Sequence, residues 1–438
     1  MAHSPLQPHS STPHGQKAKE LVAPLEADIV RLLSELVRTD TVATPPHGNE
    51  TAGQAVLGEF LRAYGIVPDI YDTAFVSHSG HPYARSDRDY SGRRNLLAAV
   101  PGSGRGRSLL FNGHMDTVPA GHGTWTDSPW SGAVRGGRLF GRGSIDMKGG
   151  IAAQFAVLCA LRKEGIRPGG DVFAESVVDE EWAGGGGTLA ARLRGPVTDA
   201  CAIPEITNRE VALATRGGAI IDLIAEAGDP AHYFSNEEVV SPAIPVGRLL
   251  GWIDSWAARR RQIPRGGAYR DFTEPAPVQV LAIEANRMDS SEPHHVPLTA
   301  GVRMYFQFLP HEDVPAVLAQ VRGSLDEFCD GDPFFREHRV AWRPLFDPPL
   351  LGHEISAEHP WSRCFVRAAA GVLGVLPKVT AAPYPCDAFL IHREFGIPTL
   401  LFGPAGGGAH NPDEYVEVAS VLDTAAVYLA AALDWCGA

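Results

Sequence analysis

Short apolar runs, each closed abruptly by Gly, Asp, Glu or His, recur along the chain. Residues 108–111 (SLLF) lead into NGHMD, 171–178 (DVFAESVV) into DEE, 199–203 (DACAI) into PEI, and 397–402 (IPTLLF) into GPAGGGAH. Between the first two lies 151–165 (IAAQFAVLCALRKEG), apolar along most of its length and read as a buried crossover helix. Continuous apolar runs alternating with helices predict a buried, largely parallel sheet in an α/β domain. Such sheets place ligand groups at the carboxyl ends of their strands, which is where the polar residues gather here. Upstream, Leu25, Ile29, Leu32, Leu33 and Leu36 follow helical spacing, and a second helix is predicted over about 51–64, ended by Gly65.

The texture changes between about Ala212 and Phe346. TRGGAIIDLIAEAG, APVQVLAIEA and LTAGVRMYFQF alternate like half-exposed strands, while IPVGRLLGWIDSWAARR and DVPAVLAQVRGSLDEF read as helices. That order fits a ferredoxin-like split βαβ unit, inserted because the α/β texture resumes after Pro348. The predicted division is a disordered Ser/Pro/His-rich tail over 1–20, the first part of an α/β domain over 21–211, an inserted α+β domain over 212–346, and the second part of the first domain over 347–438.

Composition narrows the function classes. The 438 residues are 44% hydrophobic and 20% charged, as in ordinary globular chains. A net charge of −13 argues against nucleic acid as a partner, since that affinity rests on Lys/Arg–phosphate contacts. The six cysteines lack CxxC spacing and read as reduced thiols of a cytoplasmic protein. No run approaches the roughly 20 apolar residues of a membrane span, so no membrane is expected. The glycine runs at 184–187 and 406–408 lack the GK[ST] of a phosphate loop.

The candidate chemistry lies where the apolar runs stop. His114 and Asp116, two apart on an extended segment, share a face, so the carboxylate can orient the ring of a metal-ligating His. Asp146 precedes the buried helix, where alone it reads as an N-cap. Glu180 and Glu181 follow Asp179; three adjacent carboxylates repel, and a nearby cation would relieve them. Glu205 and His410 follow the last two runs, each alone an ordinary loop residue. Together, two His and several carboxylates at strand ends are what a paired-metal site needs: zinc takes imidazole and carboxylate ligands, two ions about 3.5–4 Å apart need a bridging carboxylate, and one further carboxylate must stay free to accept a proton.

GHMDTVP, GRGSIDMKGG about thirty residues on, DEEWAGGG about thirty further, then PEIT and GPAGGGAHNPDEYV, together resemble the di-zinc aminoacylase family, which includes acetylornithine deacetylase, succinyl-diaminopimelate desuccinylase and glutamate carboxypeptidase. The intervening WTDSPWSGAVRGGRLFGRG resembles the family's linker, and the likeness covers the chain from about Leu21. The resemblance implies a zinc-peptidase-like catalytic domain with a mainly parallel sheet and an inserted ferredoxin-like lid and dimerisation domain. It implies two Zn²⁺ per subunit, with Co²⁺ or Mn²⁺ as substitutes. His114 and Glu205 would hold one ion, Glu181 and His410 the other, and Asp146 would bridge them. Glu180 would be the general base, Asp116 the partner of His114, and His232 in AHYFSN the oxyanion donor, in cis or from the other subunit of a homodimer. The implied reaction is removal of an N-acyl group from an amino acid; a dipeptidase or carboxypeptidase with the same metal centre and a metal-free binding homologue are the alternatives. The chain departs from the family pattern in the inserted domain: Phe308 falls where a substrate-binding Arg often stands, with Arg303 a weak substitute, and His294 replaces the usual Asn.

Overall fold

The computed structural model describes residues 14–227, 240–285 and 296–437. Among these, one compact unit runs up to Ala214 and resumes over His353–Ala382 and from Cys386, and the other runs over Thr215–Gly352 and includes Pro383–Pro385.

The first unit is an α/β domain built on an eight-stranded sheet. Its centre is four parallel strands in the spatial order Thr399–Leu401, Cys201–Ile203, Leu109–His114, Val172–Val177. These are the four apolar runs read from sequence. Leu109–His114 is buried at every position, which is why it does not alternate. Arg94–Val100 and Asp69–Asp72 extend one edge antiparallel, and Val211–Ala212 and Val379–Thr380 extend the other. Glu26–Arg38 turns Ile29, Leu32, Leu33 and Leu36 into the core, as their spacing requires. Every residue of the helix Gly149–Lys163 up to Leu161 is buried, so it is apolar all round.

Two expectations are corrected. Ser144–Lys163 and Val418–Cys436 do have the length and apolar character of a membrane span, but 94% and 72% of their apolar windows are buried inside the protein, which accounts for that character. The predicted disordered tail over 1–20 is helical from His14: the helix His14–Val22 buries Ala18 and Val22, and His14 Nδ1 lies 2.6 Å from Asp434 Oδ1. Its polar composition hid a narrow apolar stripe that the core supports.

The second unit is a four-stranded antiparallel sheet in the order Val278–Glu284, Thr299–Phe308, Gly217–Glu226, Ala341–Pro344. With the helices Ala243–Arg260 and Val314–Gly331 this is the split βαβ arrangement read from sequence. It has its own core, in which Phe306, Phe308, Trp252 and Leu325 take part. The expected alternation fails in Val278–Glu284, where the register shifts between Val280 and Ala282 and Val280, Leu281 and Ile283 are all exposed.

Candidate metal centre

The carboxyl ends of the four parallel strands deliver the site. His114 is the last residue of its strand and is 1% exposed. Its Nδ1 lies 2.9 Å from the main-chain oxygen of Asp116, and a carbonyl only accepts, so the hydrogen sits on Nδ1 and Nε2 faces the cleft. The Asp116 carboxylate, expected to orient that ring, is 3.5 Å from Nδ1. It also anchors the neighbouring turn, where its two oxygens accept the main-chain N–H groups of Glu180 and Glu181 at 3.1 and 3.0 Å.

The acidic run after Val172–Val177 is not a solvated turn. Asp179 is 1% exposed and has a left-handed backbone, with φ 68°. Arg93 and Tyr90 donate to its carboxylate at 3.2 and 2.7 Å, and Arg93 also pairs with buried Glu50. That cradle leaves Glu180 and Glu181 to face the cleft. No motif marked Arg93 or Tyr90, because they stand ahead of the strand Arg94–Val100, not at the carboxyl end of an apolar run.

Asp146 stands three residues before Gly149–Lys163 and does not cap it. Its Oδ1 is 3.2 Å from His114 Nε2 and its Oδ2 is 3.0 Å from His410 Nε2. His410 Nε2 also lies 3.1 Å from Glu181 Oε2, and His114 Nε2 lies 3.6 Å from Glu205 Oε1 and 3.8 Å from Glu180 Oε2. Two groups sharing His114, one with Glu180 and Glu205 and one with Asp146 and Glu181, bring donor atoms within 4.8 Å of one another. Glu205 reaches the site because the buried helix runs close to its segment: a Cβ on Gly150 would fall 2.3 Å from the Pro204 main-chain oxygen. His114, Asp146, Glu180, Glu181, Glu205 and His410 thus converge. His232 and His294 lie outside the described residues. Phe308 is buried in the second core, and Arg303 is held by both oxygens of Asp222 at 2.7 and 2.8 Å.

The electrostatics are those of a cation site. Burial pushes the Glu181 carboxyl up to about 7, with Asp146 adding to it. Burial likewise raises Glu205, and lifts Glu180 well above the usual carboxylate range against the pull of His114. Hydrogen bonds to Asp146 and Glu181 push His410 up to about 11. Burial works against a charged His114, but Asp116 and Asp146 outweigh it and raise the imidazole. Glu181 Oε1 is buried without a hydrogen-bond partner among the described residues. Four carboxylates against two imidazoles, with an unsatisfied oxygen, fit divalent metal ions, whose preferred protein donors are these groups.

The profile of peptidase family M20/M25/M40 matches residues 110–434. The chain belongs to that family. It is similar to succinyl-diaminopimelate desuccinylase of Gluconacetobacter diazotrophicus, 28% identical in an alignment that covers 93% of this chain and 97% of the relative. It is also similar to N-formyl-4-amino-5-aminomethyl-2-methylpyrimidine deformylase of Halalkalibacterium halodurans, 23% identical over 93% of this chain and 94% of the relative. Its fold matches human carnosine dipeptidase 1, with a TM-score of 0.73 at 15% identity over 97% of this chain and 100% of that one. It also matches an M20 family metallo-carboxypeptidase from Sulfolobus solfataricus, with a TM-score of 0.71 at 14% identity over 93% and 99%. Membership of the M20 family makes the chain a metal-dependent amide hydrolase.

Proposed function

We propose that this chain removes an N-acyl group from a small amino compound, an amino acid in the first instance, at a centre of two zinc ions. One observation carries the reading: the two oxygens of Asp146 face different histidines, Oδ1 towards His114 and Oδ2 towards His410. A carboxylate so placed would help hold both ions, with Glu205 completing the His114 set and Glu181 the His410 set. When bound, the metal ions polarise the amide carbonyl and acidify water.

The remaining work falls to the chain. Glu180 takes the proton from the attacking water at Oε2 and delivers it to the leaving nitrogen. Burial raises its carboxyl, which brings a carboxylate closer to the proton affinity such a shuttle needs. Asp116 holds the Glu180 and Glu181 main chain, so base and ligand keep a fixed offset. The separation of base from ligand rests on the family resemblance, since Glu180 and Glu205 stand at similar distances from His114. His232 supplies a hydrogen bond to the oxyanion.

A deacylase is favoured over a dipeptidase because the relatives matched in sequence, at 28% and 23% identity, are named as a desuccinylase and a deformylase, whereas the dipeptidase likeness is one of fold at 15% identity. The test is hydrolysis by purified protein of N-succinyl, N-acetyl and N-formyl amino compounds beside a dipeptide panel, with Zn²⁺ or Co²⁺ supplied. Turnover of acyl substrates abolished by chelation is expected; turnover of dipeptides alone would overturn the substrate assignment.

A further inference from the structure

Glu414 has no part in the chemistry above, yet it is fully buried, four residues beyond His410. Its Oε1 accepts the main-chain N–H groups of Ile145 and Asp146 at 3.0 and 3.2 Å. Its Oε2 accepts Arg142 Nη1 at 2.6 Å, and its main-chain oxygen accepts the N–H of Gly141 at 2.9 Å. Arg142 is itself 1% exposed. One residue therefore fastens the loop that carries Asp146 to the segment that carries His410, whose side chains meet at 3.0 Å. Asp116 grips the Glu180–Glu181 turn in the same way, through two consecutive main-chain N–H groups.

We propose that Glu414 is a positioning residue for the metal centre: it holds the Asp146 loop against the His410 segment so that both side chains reach one ion, while touching neither ion nor substrate. This rests on the paired-metal reading. A ligand on a loop is only as well placed as the loop's own anchors, and loss of such outer partners weakens metal binding or activity by about 10–100-fold. A purely structural role makes a different forecast. The Arg192–Glu175 pair is equally buried, at 2.5 Å, and ties a helix to a core strand. If Glu414 were only such a tie, its loss would lower thermal stability and leave metal affinity alone.

The test is a Zn²⁺ titration of the full-length protein against a chromophoric chelator, for wild type, Glu414→Gln, Glu414→Ala and Glu175→Gln, with thermal unfolding of each metal-free protein and kcat and KM of each loaded one. Both Glu414 variants are expected to hold at least one of the two ions about 10–100-fold more weakly. In Glu414→Gln the metal-free unfolding temperature should stay near wild type and kcat should fall more than KM changes. Glu175→Gln should lose stability without losing metal affinity. Should Glu414→Ala fail to fold, Arg142→Met removes the partner and is expected to weaken binding in the same direction. Wild-type affinity for both ions in Glu414→Gln, or a loss matched by Glu175→Gln, overturns the positioning role. If wild type itself binds no zinc, the paired-metal reading fails first, so the two failures are distinct.

Discussion

Glu180 and Glu181 are chain neighbours with different proposed roles, and a single substitution separates them. Glu180→Gln keeps shape and removes basicity; it should lower kcat by at least about a hundredfold while metal content stays at the wild-type level. Near-normal turnover would remove Glu180 from the reaction. Away from the site, His353 is 1% exposed, and burial, with His392 beside it, holds its imidazole down at about 3. The unfolded chain binds a proton there below about 6.5 that the folded chain refuses. This contribution is therefore complete above pH 6.5 and lost as pH falls towards 3, at up to about 1.4 kcal/mol per pH unit. Urea unfolding from pH 7 to pH 5 should show a shallower loss in His353→Gln than in wild type; equal slopes would refute it. His114, Asp146, Glu181, Glu205 and His410 were legible because each stands beside an apolar run or ahead of the buried helix. Glu414 and the grip of Asp116 on the Glu180–Glu181 turn were not, since their partners are main-chain N–H groups, which any residue supplies; Glu414 and Ile145 are 269 residues apart.

At the level of elements, the four central strands showed themselves through short apolar runs. Arg94–Val100 was passed over despite its LLAAV run because no His or carboxylate follows it, and Asp69–Asp72 because it is a half-exposed edge. The helix His14–Val22 was hidden for another reason: its apolar stripe is narrow, with Ala18 and Val22 buried and Leu21 partly so, and it docks where glycines allow close approach. A Cβ on Gly15 would fall 2.4 Å from the main-chain carbon of Gly371, in the helix Pro360–Leu373. Gly15→Val should cost about 1–3 kcal/mol in urea unfolding, as overpacking does. A neutral result would show that this helix is not docked on the core.

For the whole molecule, the change from continuous to alternating apolar pattern revealed the inserted α+β domain. It gave no mechanical role, because position relative to a cleft leaves no periodic trace. We propose lid and homodimer roles for that domain, and His232 tests both. His232→Ala should lower kcat with metal content unchanged. If the donor acts from the other subunit, mixing it with Glu180→Gln under subunit exchange should restore part of the activity; no recovery despite demonstrated exchange would place the donor in cis. Metal content per chain, measured by mass spectrometry on wild type and Asp146→Ala loaded with Zn²⁺, tests whether Asp146 holds both ions. Two ions per wild-type chain, with both lost on modest chelation from Asp146→Ala, is the expected result. One ion per wild-type chain, or two retained as tightly in the variant, would contradict it.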